Sequence, residues 1–334
     1  MLVIGIAGAQ LAEHEREWLR HPGVGGVILF SRNVVSREQT IDLCRELRQA
    51  TGKPLLLCVD QEGGPVQRFR EGYSRLPELS RVGAAYEEDP ANALELARRH
   101  AFLMASEVLA TGLDLSFAPV VDLKRGNRAI GERAFDARPN IASECAMAYV
   151  QGMHRAGMAA TLKHFPGHGS VLEDTHFDNA VDPRELETLE AEDLMPFRSG
   201  FSAGAEAVMM AHVSYPAFDA DPAGYSKRWI DYLRNELGFA GVVFSDDIGM
   251  AAAESAGGVA ARIHAHYDAG CDSVLVCAPA LVPDALAAMR ESDIRADALA
   301  SLFARGAFAW SSLPQDPRWL AARQSLGIED AFLT

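Results

Sequence analysis

The run Lys163-His164-Phe165-Pro166-Gly167-His168-Gly169-Ser170, followed by Asp174-Thr175-His176, crowds titratable and chain-breaking residues into fourteen positions. Pro166, Gly167 and Gly169 interrupt any helix or strand period, while Lys163, His164, His168, Asp174 and His176 are costly to bury without partners. Such a composition belongs to an active-site loop whose side chains are held by neighbouring elements. The preceding Met158-Ala159-Ala160-Thr161-Leu162 is a short apolar run that reads as a buried strand, so the polar cluster is expected to begin where a strand ends. In parallel sheets and barrels, ligands bind at that end.

Seven further apolar runs resemble this strand: Leu2–Ala7, Gly26–Phe30, Leu55–Val59, Leu113–Pro119, Ala205–Ala211, Gly241–Phe244 and Asp272–Cys277. Amphipathic stretches lie between them, among them Arg37–Thr51, Ala91–Thr111, Ile141–Ala156 and Trp229–Leu237. This alternation predicts an α/β fold, a single (β/α)8 TIM-like barrel, with a doubly wound open sheet as the alternative. The strand ends favour the barrel. Phe30 is followed by Ser31-Arg32-Asn33, Val59 by Asp60-Gln61-Glu62-Gly63-Gly64, Pro119 by Val120-Val121-Asp122, Ala211 by His212, and Phe244 by Ser245-Asp246-Asp247. An open sheet concentrates such endings at one switch point, whereas these are spread along the chain. Residues 1–334 are expected to form one domain with a short tail from about residue 313.

At 334 residues, 49% hydrophobic, the chain can bury a large core. A net charge of -15 argues against nucleic acid, which is bound through a basic footprint. No apolar stretch of about 18 residues suggests a membrane span, and Met1–Ala7 reads as a strand in place of a leader. Cys44, Cys58, Cys145, Cys271 and Cys277 form no CxxC pair and are expected to be reduced, structural thiols. A cytoplasmic protein, monomeric or weakly dimeric, is the expectation.

Several chemistries compete for these residues. His164, His168 and His176, with Asp174 and Asp178, could suggest a metal, but Pro166-Gly167 precludes the helix that would align the first two rings, and no metal or other cofactor is expected. Gly23–Gly26 runs into a strand, not out of one, so it is no phosphate cradle. Ser170 and Ser245 sit in no GxSxG elbow and are expected to be structural or hydrogen-bonding serines. Glycoside hydrolysis uses more of the pattern. It needs a carboxylate beneath the sugar and a proton donor above the leaving oxygen. Asp246 at a strand end can be the first, and His176, oriented by Asp174 two residues away, the second.

The segments Gly25–Asn33, Asp60–Gly64, Ser116–Val120, Ile130–Arg133, Lys163–Gly169 with Asp174–His176, and Phe244–Met250 together resemble family 3 glycoside hydrolases, in particular the bacterial β-N-acetylglucosaminidases of cell-wall recycling. The resemblance runs from about Gly25 to Cys277 and implies a lone (β/α)8 barrel. It makes Asp246 the nucleophile and His176 the acid/base oriented by Asp174, and it assigns Asp60, Arg68, Arg133, Lys163 and His164 to the first sugar subsite. The implied substrate is a carbohydrate, a muropeptide fragment with N-acetylglucosamine joined to 1,6-anhydro-N-acetylmuramic acid. Arg68, Arg133 and Lys163 are expected to donate to sugar hydroxyls and to keep Asp246 ionised. The pattern departs where Ile248-Gly249 replace a usual Leu-Ser, and Asp122–Asn127 is read as a variable stretch. His212 either lines the pocket or is packed. The glycine-rich loop is expected to carry His176 toward bound sugar. Three rivals stay open: a phosphorylase using the same site, substrate-assisted chemistry through Asp246 and Asp247, and a non-catalytic sugar-binding protein.

Overall fold

The computed structural model describes residues 1–175 and 180–329. Eight strands form one sheet: β1 (Leu2–Gly5), β2 (Val24–Leu29), β3 (Leu56–Val59), β4 (Leu115–Ser116), β5 (Thr161–Phe165), β6 (Ala207–Met210), β7 (Val242–Asp247) and β8 (Ser273–Val276). Their order, β4-β3-β2-β1-β8-β7-β6-β5, and their uniformly parallel pairing are those of a barrel opened at one seam. Residues just after β4 close it. Val120 bridges Lys163, Val121 N–H donates to the Lys163 carbonyl at 2.9 Å, and Thr161 N–H donates to the Ala118 carbonyl at 2.9 Å. The expected α/β barrel is the observed fold.

A helix follows every strand: α1 (Glu13–Arg20), α2 (Arg37–Thr51), α3 (Pro90–Thr111), α4 (Pro139–Ala156), α5 (Leu194–Ser202), α6 (Lys227–Asp231, running into a π-helical turn), α7 (Val259–Ala269) and α8 (Val282–Ala288). Local sequence explains α2. The Ser36 side chain accepts from Gln39 N–H, Thr40, Leu43, Cys44 and Leu47 turn one face to the core, and Gly52 at φ 69° ends the helix. In α3, Asp89 caps the first turn through Asn92 N–H and Pro90 sits where no donor is needed. Phe117 and Phe244, both fully buried, meet edge-on at 5.2 Å inside the barrel.

Two strands differ from their expected limits. Leu113–Pro119 shortens to Leu115–Ser116, because the chain leaves β3 there and turns to make the seam. Met158–Leu162 shifts forward to Thr161–Phe165, so Lys163 and His164 lie within the strand and not beyond it. Ser245, Asp246 and Asp247 likewise belong to β7. All five cysteines are free and buried. Among the described residues no helix is long and apolar enough to cross a membrane.

The tail is fastened to the barrel by α9 (Pro317–Ser325). Trp319 is buried and its indole N–H donates to Glu107 Oε1 at 3.1 Å, while Ser74 gives the same carboxyl its N–H at 2.9 Å and its hydroxyl at 2.6 Å. Burial pushes the Glu107 carboxyl up from its ordinary range. Trp319→Ala leaves a cavity and an under-satisfied buried acid, so it should cost about 3–5 kcal/mol in urea unfolding. Turnover per folded molecule should stay unchanged; a loss below about 1 kcal/mol would contradict the tail's role.

Candidate active site

The C-terminal mouth of the barrel holds a pocket of about 150 Å³ whose lining includes Asp60, Glu62, Arg68, Arg133, Lys163, His164, Asp246 and Asp247. It therefore gathers all five residues expected in the sugar subsite together with Asp246. They arrive from separate elements: Asp60 directly after β3, Arg68 after the hairpin of Gln61–Gly63 and Val66–Gln67, Arg133 from the loop after β4, Lys163 and His164 from β5, and Asp246 from β7. Gly63, at φ 104°, allows the chain to turn tightly after Glu62, and a side chain there would strike the Pro77 carbonyl.

A buried ion cluster organises the pocket floor. Lys163 Nζ lies 2.9 Å from Asp60 Oδ1 and 2.6 Å from Glu62 Oε1. Arg133 grips Glu62 with two parallel bonds, Nε to Oε2 at 2.8 Å and Nη2 to Oε1 at 2.9 Å, and its Nη1 donates to the Ala129 carbonyl at 3.0 Å. Arg68 reaches Asp60 Oδ2 at 3.4 Å. Burial opposes charge on Glu62, but Arg133 and Lys163 outweigh it and hold the carboxyl well below the usual range. For Lys163 the same balance runs the other way: burial lowers its affinity for a proton, and Asp60 and Glu62 raise it above the ordinary value. Glu62 was not singled out from sequence. The cations expected to donate to sugar hydroxyls also have partners within the protein, Arg133 in Glu62, Lys163 in Glu62 and Asp60, and Arg68 in Asp60. Lys163 retains one of its three donors for a ligand.

Asp122, to which the sequence reading gave no role in the site, stands close by it. It is fully buried and holds His164 at two points, accepting from the ring Nδ1 at 2.8 Å and with both oxygens from the one backbone N–H at 3.2 and 3.1 Å, while His168 N–H donates to Oδ1 at 2.7 Å. Burial favours the neutral acid, yet His164 pulls the Asp122 carboxyl below its ordinary value. The ring N–H donated to Asp122 leaves His164 Nε2 as the atom to present to a ligand. Gly169 packs so closely on the Leu123 carbonyl that a side chain there would collide with it.

The adjacent acids of β7 have different surroundings. Asp246 Oδ1 accepts from Asp247 N–H at 2.8 Å, and Asp246 is half-buried. Asp247 Oδ1 accepts from Cys277 N–H and Gly249 N–H, both at 3.0 Å, and burial pushes its carboxyl upward. The pairing of β7 with β8 shifts register between Phe244 and Asp247, and that of β5 with β6 shifts between Lys163 and Phe165. Such irregularities re-aim side chains at strand ends. Ser245 and Ser170 are hydrogen-bonding residues as expected, the first accepting from Leu275 N–H and the second donating to Asp193. Asp174 is half-buried outside the pocket lining, and its neighbour Thr175 accepts through its carbonyl from Ala252 N–H at 3.2 Å. His176, like Asp178, lies outside the described residues. Among the described residues no three His, Cys, Asp or Glu side chains are grouped to hold a metal ion.

The Glycosyl hydrolase family 3 N terminal domain matches residues 2–305. The chain belongs to glycosyl hydrolase family 3. It is 63% identical over 319 residues to a Beta-hexosaminidase of Stenotrophomonas maltophilia (strain K279a), covering 95% of both chains. It is 59% identical over 328 residues to a Beta-hexosaminidase of Xanthomonas campestris pv. campestris (strain B100), covering 98% of this chain and 99% of that one. Among solved structures it is similar to NagZ from Neisseria gonorrhoeae in complex with N-trifluoroacetyl-D-glucosamine, with 38% identity, a TM-score of 0.90 and 98% of each chain covered. The protein is a glycoside hydrolase of the β-hexosaminidase kind.

Two predictions follow from the ion cluster and the buried rings of this family 3 site. Glu62→Gln removes the charge shared by Lys163 and Arg133 and should cost about 3–5 kcal/mol in urea unfolding; a change below about 1 kcal/mol would contradict the cluster's role. Burial pushes His168 down to about 4 despite the neighbouring Asp122. A ring depressed in the folded state takes up its proton first in the unfolded chain, so its stabilising effect is full above about pH 6.5 and fades as pH falls toward 4. His168→Gln should therefore flatten the fall in unfolding free energy between pH 6.5 and 4.5, by up to about 1.4 kcal/mol per pH unit. Parallel profiles for the two proteins would refute this.

Proposed function

We propose that the protein is a retaining β-N-acetylhexosaminidase that removes terminal β-linked N-acetylglucosamine from peptidoglycan fragments, as a single catalytic barrel acting in the cytoplasm as a monomer or weak dimer. The observation that carries this reading is the convergence of Asp60, Arg68, Arg133, Lys163 and His164 on the pocket that Asp246 enters. Fixed charges and ring nitrogens of this kind suit a polyhydroxylated ring. A pocket of about 150 Å³ suits a single sugar better than a chain of them. The N-trifluoroacetyl-D-glucosamine carried by the gonococcal NagZ, an N-acylated glucosamine, supports an acetamido sugar as the ligand.

In the proposed mechanism Asp246 attacks the anomeric carbon as the bond to the leaving oxygen breaks, and His176 supplies that oxygen with a proton. An ester links the sugar to Asp246. Neutral His176, oriented by Asp174, then takes a proton from water, which attacks the same carbon and frees Asp246. Asp60, Arg68, Arg133, Lys163 and His164 hold the sugar throughout. Asp247, tied to the backbone of Cys277 and Gly249, is assigned no step.

Release of nitrophenol from aryl β-N-acetylglucosaminide and aryl β-glucoside tests this reading. The acetamido sugar alone should turn over, with Asp246→Asn reducing the rate by at least about a thousandfold and added phosphate changing nothing. His176→Ala should harm this substrate less than a disaccharide, since nitrophenolate leaves without a proton. Turnover of neither sugar would move the sugar-binding reading to the front, and strict dependence on phosphate would identify a phosphorylase.

A further inference from the structure

The chain just ahead of Asp174 is held from the loop after β4. Asn127 is 2% exposed, and its side-chain amide donates both hydrogens to the backbone there, to the Val171 carbonyl at 2.7 Å and to the Glu173 carbonyl at 2.9 Å. Arg128 N–H donates to the Leu172 carbonyl between them at 3.4 Å. Three successive carbonyls are thus held by two adjacent residues, and the next residue along the chain is Asp174. Of the three side chains only Val171 is buried, while Leu172 and Glu173 are exposed. Hydrogen bonds, more than packing, fix this stretch.

The oxygen of the same amide serves the sugar pocket. Asn127 Oδ1 accepts from Ala129 N–H at 2.8 Å and from Ile130 N–H at 2.9 Å, and the Ala129 carbonyl accepts in turn from Arg133 Nη1 at 3.0 Å. Two N–H groups on one side and two carbonyls on the other allow one orientation of the amide, with both donors and both lone pairs engaged. One end shapes the turn that supports Arg133, and the other fixes the chain that leads to Asp174. A carboxylate in place of the amide would keep the first pair of bonds and set an acceptor against the two carbonyls of the second.

We propose that Asn127 is a positioning residue for the acid/base step: by holding the Val171 and Glu173 carbonyls it places Asp174, the partner that orients His176, relative to the sugar that Arg133 helps to hold. The inference rests on the glycosidase reading with His176 as acid/base. Among the described residues lining the pocket Asn127 has no place, so its effect on the reaction passes through its neighbours. Misplacing a catalytic group by about 1 Å can cost about a hundredfold in rate.

The test uses Asn127→Asp, with Asn127→Ser as a second variant, on N,N′-diacetylchitobiose, whose leaving group needs a proton, and on 2,4-dinitrophenyl β-N-acetylglucosaminide, whose leaving group does not. A misplaced acid/base slows the first step for the disaccharide alone, and slows hydrolysis of the Asp246 ester for both. Azide attacks the anomeric carbon of that ester without a base, frees Asp246 and gives the glycosyl azide. At least one folded variant should lose about tenfold or more in kcat/KM for the disaccharide while kcat/KM for the aryl substrate stays within about threefold. Its kcat on the aryl substrate should fall and be restored by sodium azide, as in His176→Ala. Equal loss on both substrates with no response to azide marks a merely structural residue and overturns the proposal. Wild-type activity in both variants, or failure of both to fold, overturns it as well. No azide response in His176→Ala, or wild-type protein that cleaves neither substrate, would instead overturn the reading beneath it.

Discussion

The sharing of Glu62 between Lys163 and Arg133 is the interaction on which the rest of the site depends. The buried charges of Glu62 and Lys163 and the half-buried one of Arg133 are unfavourable singly, and only a tight cluster with bidentate geometry offsets the loss of water. The carboxylate follows β3, one cation stands on β5 and the other on the loop after β4, so the cluster exists only when the seam between β4 and β5 is closed. Lys163 takes part in both, bonding the seam through its backbone and the cluster through its side chain. Barrel closure and pocket assembly are therefore one event.

Around this cluster the mouth of the barrel is divided by charge. The pocket at Asp246 carries acids and cations in close balance, while a neighbouring cavity of about 500 Å³ has Asp221 as the one charged side chain among its described lining residues. The backbone of Asp247 joins the two compartments: its carboxylate is held by Cys277 and Gly249, and its carbonyl faces His212. Asp246, which accepts from Asp247 N–H, is thus flanked by fixed groups, the preorganisation that the proposed nucleophile requires.

The eight strands were legible because each is a short apolar run flanked by turn residues, and α2 because Ser36 and Gly52 punctuate it. The start of β5 lies later than its apolar run suggests, for a physical reason. Lys163 and His164 look like loop residues, yet strand pairing and partners in Asp60, Glu62 and Asp122 make their burial tolerable. Glu62 left a signal that was not used: it stands two residues after Asp60, a spacing that puts both side chains on one face of an extended chain. Asp122 left only its place at a strand end, since nothing local ties it to a histidine 42 positions away. The second cavity was equally invisible, being assembled from three separate loops.

The central claim is that Asp246 carries the sugar covalently. The most direct measurement is mass spectrometry of the protein after incubation with a fluorinated N-acetylglucosaminyl fluoride, which slows release of the intermediate, followed by peptide mapping. The account predicts one added glycosyl mass per chain, located on Asp246. An adduct on Asp247, or turnover with no adduct at any time, would contradict it.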